Sequence, residues 1–194
     1  KVPDARFTVA AYHATGRAPL EQVADSRLQI IGYYNYLPYR YHIEAKRREL
    51  ENALEGWDRA TDNFYFSTFY FAYGNYALPW SSVETLAWMV DLMARHGHQG
   101  LSMYFGAGDS NPLVGQLGPD IWITSQLLWD PRQSATALEE EWYLGSFGPE
   151  AGPLVREYFA VIAAAMAQET ARFPGFWGSR GFSQRQINLN VYPA

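Results

Sequence analysis

Few side chains in this sequence could do acid–base or nucleophilic chemistry, and they are widely scattered. Asp109, within Gly106-Ala107-Gly108-Asp109-Ser110-Asn111, follows closely behind an apolar run. It is either a turn residue or a proton donor. His13 closes another such run, as a loop histidine or a general acid–base group. Glu44 stands at the start of a helical pattern, where a negative charge favours the helix N-terminus. Asp62 precedes an aromatic run instead of following one. His96 and His98 flank Gly97 at a helix end and read as structural, since a cation favours the helix C-terminus. His42-Ile43-Glu44 lacks metal-ligand spacing, and no set of three or four ligands stands out, so neither a metal nor another cofactor is expected. Gly106-Ala107-Gly108 follows a strand-like run, but a third glycine is missing and Pro112 interrupts the helix start that dinucleotide binding needs. The chain has no cysteine, which removes disulfides, thiol catalysis and Cys-based metal sites.

Aromatic residues make up 16% of the 194 residues, with 14 Tyr and 7 Trp. Such a set builds either a large core or a sugar-binding cleft. In a cleft, flat pyranose C–H faces pack on rings while Tyr and Trp donors reach hydroxyls. A net charge of −5 with 18% charged residues argues against nucleic acid as partner. The longest basic run, Lys46-Arg47-Arg48, is answered by Glu49 and Glu51. No apolar run approaches the ~20 residues of a membrane-spanning helix. The opening Lys1-Val2-Pro3-Asp4-Ala5-Arg6 does not resemble a signal peptide.

The elements that must position these residues begin with four strand candidates: 7–13, 28–34, 64–71 and 101–105. Each is rich in aromatic or β-branched residues, and each is nearly continuous, as for strands covered on both faces. Ile43 to Ala60 carries Ile43, Leu50, Leu54 and Trp57 on a helical stripe. Ser81-Ser82-Val83-Glu84 offers a capping box to a second helix, which Gly97 stops. The first connection, Gly16 to Arg27, has room for a single helical turn. The alternation of strands and helices implies parallel pairing. Beyond the fourth strand the chain reads as helical: Asp120 to Trp129, a helix capped by Ser134, and Pro153 to Phe173, with a mostly irregular tail from Phe176.

Several segments, in order, resemble the bacterial family catalogued as domain of unknown function 4838, whose members look like glycoside hydrolases. They are Ala11-Tyr12-His13-Ala14-Thr15 with Pro19, Trp57, the aromatic third strand, Pro79, and Gln126-Leu127-Leu128-Trp129-Asp130-Pro131. Tyr143 to Ala151 resembles the small-residue loop that follows there. The resemblance runs over about residues 5 to 160. It implies the C-terminal half of a TIM-like (β/α)8 barrel, about four parallel strands followed by C-terminal helices. On that reading residues 1–118 are the second half of the barrel, and 119–194 are helices and tail packed on the same domain. A complete barrel usually takes about 250 residues, so its first four strands are unaccounted for.

Barrel sites lie at the C-terminal ends of strands. The resemblance therefore nominates Tyr12, His13, Tyr34, Asn35, Tyr70, Tyr73 and Tyr104 as substrate-binding, and Asp109 as the catalytic acid. A glycosidase needs two carboxyl groups. Where some members carry an eighth-strand glutamate, this chain reads Ser102-Met103-Tyr104-Phe105-Gly106, so the acid pair is expected largely in the missing half. Three readings stay open: a portion of a glycoside hydrolase-like enzyme acting on a polysaccharide or glycan, a non-catalytic carbohydrate-binding protein on a degenerate barrel, or a complete open α/β domain of unrelated function. The expected partners are carbohydrate and either the missing half of the same protein or a second copy of the chain. A secreted, periplasmic or cell-surface parent is expected, although this chain does not fix the compartment.

Overall fold

The four aromatic and β-branched runs form β1 (Phe7–Ala11), β2 (Leu28–Tyr34), β3 (Phe64–Phe69) and β4 (Leu101–Tyr104). In the computed structural model, residues 5–34, 41–69, 81–98, 100–104 and 118–172 are described. The strands make one sheet in the order β1-β2-β3-β4, and every neighbouring pair is parallel. Each strand thus lies beside its sequence neighbour, with no reversal of order at a switch point. That is the winding of a (β/α) barrel, in which each strand lies beside its sequence neighbour. The chain is an α/β protein with the strand arrangement of half a (β/α) barrel, followed by C-terminal helices.

The register decides which residues share a face. Val9 pairs with Ile30, Ile30 with Phe64, Gly32 with Phe66, and Phe66 with Leu101. This face is covered by α1 (Glu44–Ala60) and α2 (Val83–Arg95). Ile30, Phe64 and Phe66 form one core with Leu50, Leu54 and Trp57 of α1 and Met89 and Leu92 of α2. Because strand side chains alternate, Thr8, Ala10, Gln29, Ile31, Tyr33, Tyr65, Ser67 and Ser102 occupy the opposite face. None of them belongs to either described hydrophobic cluster.

Glu44 opens α1, as its sequence position predicts. The start of α2 differs from the expected capping box. Ser82 is its N-cap and makes no side-chain cap bond. Instead the Ser82 N–H donates to Asp120 Oδ1 at 3.2 Å, a fully buried carboxylate on α3 (Gly118–Trp129). Glu84 turns outward to Arg47, 3.3 Å away. A buried acid from the next helix thus satisfies a donor that the local sequence was expected to satisfy. Gly97, at φ 67°, ends α2 as predicted. Its N–H bonds the Ala94 carbonyl and the His98 N–H bonds the Met93 carbonyl, both at 3.1 Å, the paired bonds of a Schellman turn. The turn between β1 and β2 comes earlier than expected, at His13–Thr15.

Helix α3 packs on α2 through Ile123 and Leu127 against Val83 and Val90, joined by Leu138 of α4 (Ala135–Arg172). Ser134 caps α4 as expected, its Oγ accepting from the Ala137 N–H at 3.3 Å. The stretch from Tyr143 to Ala151, expected as a loop, is helical apart from one break at Gly148 (φ 74°, ψ 176°). Only glycine takes that conformation readily. Pro149 then begins the second segment, where its missing N–H costs no helical bond. The expected tail from Phe176 lies outside the described residues.

Candidate functional site

At the C-terminal ends of β1 and β2, the sheet face turned away from the helices carries a row of hydroxyl-bearing side chains. Tyr33 pairs across with Ser67, and Ser67 with Ser102. Tyr12, still extended at φ −142° and ψ 141° just past β1, meets the Tyr33 ring edge-on with centroids 5.6 Å apart. Tyr12 is 38% exposed. His13 stands against Tyr12, ring centroids 3.9 Å apart, and holds a positive φ of 51°. Left-handed backbone at a non-glycine residue costs of the order of 1–2 kcal/mol. The turn is held by the Thr15 hydroxyl, which accepts from the Tyr12 N–H and donates to the Tyr12 carbonyl. No acid lies from Tyr12 to Gly16 or at the last residues of β2 to β4.

Tyr34 goes the other way. It stacks on Phe66 with centroids 5.2 Å apart and planes within 9°, on the side of the sheet that the helices cover. Its hydroxyl reaches the Gly16 carbonyl at 3.5 Å. The ring nominated for substrate contact therefore serves the core, and its neighbour Tyr33 faces the open side. The strand sequence carries no parity signal to separate them, because Tyr33 and Tyr34 are the same residue type at the end of an apolar run.

At the opposite rim, three groups separated in sequence come together. Asp58 stands in the last turn of α1, and His96 and His98 bracket Gly97 after α2. His96 Nδ1 lies 2.5 Å from Asp58 Oδ2, and His98 Nε2 lies 3.0 Å from Asp58 Oδ1. The His98 side chain is only 4% exposed, and burial holds its imidazole below the ordinary histidine pKa, against the opposing pull of Asp58. Asp62, Thr61 and Arg95 line the same pocket. The histidines do close a helix end as predicted, and the fold sets Asp58 beside them, a grouping the spacing of the sequence did not display. Asp58 is 38 residues before His96 in sequence, beyond the reach of a spacing motif, so only the packing of α1 beside α2 unites them.

The family model described as Domain of unknown function (DUF4838) matches residues 1–160. The chain belongs to this family. No curated protein and no solved structure matches it. In this DUF4838 chain, the family-like Leu128-Trp129-Asp130-Pro131 stretch closes α3 with Trp129 89% exposed. Asp130 is engaged by the guanidinium of Arg132 at 2.8 and 3.0 Å. Of the residues nominated as substrate-binding or catalytic, Asn35, Tyr70, Tyr73 and Asp109 lie outside the described residues. Tyr104 ends β4, paired with Phe69. Tyr12, His13 and the newly found Tyr33 come together, while Tyr34 does not join them. No helix among the described residues is long and apolar enough to cross a membrane.

Proposed function

We propose that this chain contributes one wall of the glycan-binding cleft of a glycoside hydrolase-like barrel, with the catalytic acid pair carried mainly by other strands. The observation that carries the reading is the row Tyr12, Tyr33, Ser67 and Ser102 on the sheet face away from the helices. In a barrel that face is the interior, and its C-terminal end is where substrates bind. Two tyrosine rings set edge to face offer surfaces for a pyranose, and their hydroxyls and that of the exposed Ser102 can exchange hydrogen bonds with sugar hydroxyls, with Ser67 buried between them. The remaining strands come from the same polypeptide or from a second copy. The absence of acids at the described strand ends favours a second reading, a degenerate barrel that binds glycans without cleaving them.

The test uses the full-length protein with panels of polysaccharides and oligosaccharides, measuring binding by calorimetry and cleavage by release of reducing ends. Tyr12→Ala and Tyr33→Ala should each weaken binding about tenfold. Glycan binding that is unchanged in the double variant would refute the cleft. Binding without any release of reducing ends selects the non-catalytic reading.

A further inference from the structure

We propose that Asp58, His96 and His98 bind one divalent transition-metal ion of the zinc class, at the rim opposite the glycan face. The three side chains approach from two packed helix ends. Asp58 is fixed by the last turn of α1, and the turn at Gly97 fixes both histidines. With Gly97 left-handed and its two backbone bonds made, His96 and His98 both turn their rings back on Asp58, centroids 5.5 Å apart. One ligand atom from each of the three residues lies within 4.8 Å of the other two. In a tetrahedral site with metal–ligand bonds of about 2.0–2.1 Å, neighbouring donors stand roughly 3.3 Å apart. Side-chain shifts of about 1 Å therefore convert the present contacts into a coordination set.

Two imidazole nitrogens and a carboxylate suit zinc, nickel or copper, and not magnesium or calcium, which take oxygen ligands. The second nitrogen of His98, Nδ1, faces Met93 Sδ at 3.3 Å, which leaves Nε2 directed at Asp58. Access is graded: the Asp58 side chain is 35% exposed, His96 13% and His98 4%. A fourth ligand comes from solvent or from Asp62, which lines the same pocket. The one cation lining that pocket among the described residues, Arg95, is engaged by Asp91 at 2.9 Å. The ion would join the end of α1 to the turn between α2 and β4.

The experiment takes full-length protein stripped with a chelator and titrates it with Zn²⁺ by calorimetry, and with Co²⁺ for its visible spectrum. One equivalent of Zn²⁺ is expected, with a Tm rise of roughly 5–10 °C at a hundredfold excess over Kd. The Co²⁺ adduct should show the intense visible bands of a four-coordinate site. His96→Gln and Asp58→Asn should each weaken Zn²⁺ binding at least about tenfold. Absence of binding, or an equivalent retained in both variants, overturns the proposal. So does an equivalent lost in His13→Gln or His42→Gln instead. If a variant fails to fold, acylation of histidines by diethylpyrocarbonate in the unmodified protein decides. Zn²⁺ should protect His96, and modification that is equal with and without the metal overturns the site.

Discussion

Gly32 lies under an aromatic ring: a Cβ placed on it would come within 2.3 Å of Phe64 Cζ and 2.9 Å of Phe64 Cε2. Phe64 is 2% exposed and wedged against Trp57, centroids 5.3 Å apart, so it has little room to retreat. The glycine in the middle of β2 therefore exists for close approach, and its weak strand propensity is the accepted cost. Gly32→Ala should destabilise the protein by about 1–3 kcal/mol, read as a lower urea midpoint at unchanged m. An alanine variant as stable as the parent would mean that the Phe64 ring is free to retreat from β2. Chemistry at this scale was only partly legible in the sequence. The wealth of tyrosine at strand ends was visible, and Tyr12 and His13 do stand at the open face. What could not be read was parity, because in runs apolar on both faces nothing in Tyr33-Tyr34 says which ring points outward from the helices.

The elements themselves were more legible than their ends. Strand runs and the stripe of Leu50, Leu54 and Trp57 were visible because their periods follow from burial. Gly97 was visible because only a residue tolerant of positive φ closes a helix in this way. The α2 cap was misread, since its acceptor is Asp120, 38 residues away, and local spacing is blind to it. The same long-range packing sets the charge state of His42, which immediately precedes the first turn of α1. Burial lowers its pKa; Glu84 on α2 opposes that shift and Arg47 on α1 adds to it. With the folded pKa below the ordinary value of about 6.5, the unfolded chain binds the proton more tightly. The stability at stake is then fully present above about pH 6.5 and falls as the pH drops from there towards the folded pKa. His42→Gln removes that step, so the variant should gain on the parent in urea midpoint between pH 7.5 and 5. His98 is shifted in the same direction by its own burial in both proteins and cancels in the comparison. A difference between parent and variant that does not change with pH would reject the assignment.

On the scale of the whole molecule, the described residues give a four-stranded sheet in which β1 has β2 as its one described neighbour, and such a sheet demands completion. The winding was legible as strand–helix alternation. How that sheet is closed was not, since the residues that close it need not lie in this chain. Strand β1 is hydrogen-bonded to β2 on one side, and Phe7 and Val9, on its helix-side face, are 55% and 43% exposed. In a barrel the preceding helix would cover those two side chains, and a preceding strand would pair with the free edge. An unpaired, apolar edge is a template for another chain, and inserted lysines blunt it. Residues 1–194 produced alone should therefore self-associate with rising concentration in sedimentation velocity, and Phe7→Lys with Val9→Lys should shift them toward monomer. In the full-length protein the effect should reverse in sign. There Val9→Lys forces a charge into a covered position and should cost about 2–4 kcal/mol of stability. A monomeric 1–194 that ignores both substitutions, together with a full-length protein that tolerates Val9→Lys without loss of Tm, would mean that β1 is a true edge and that the barrel is never closed.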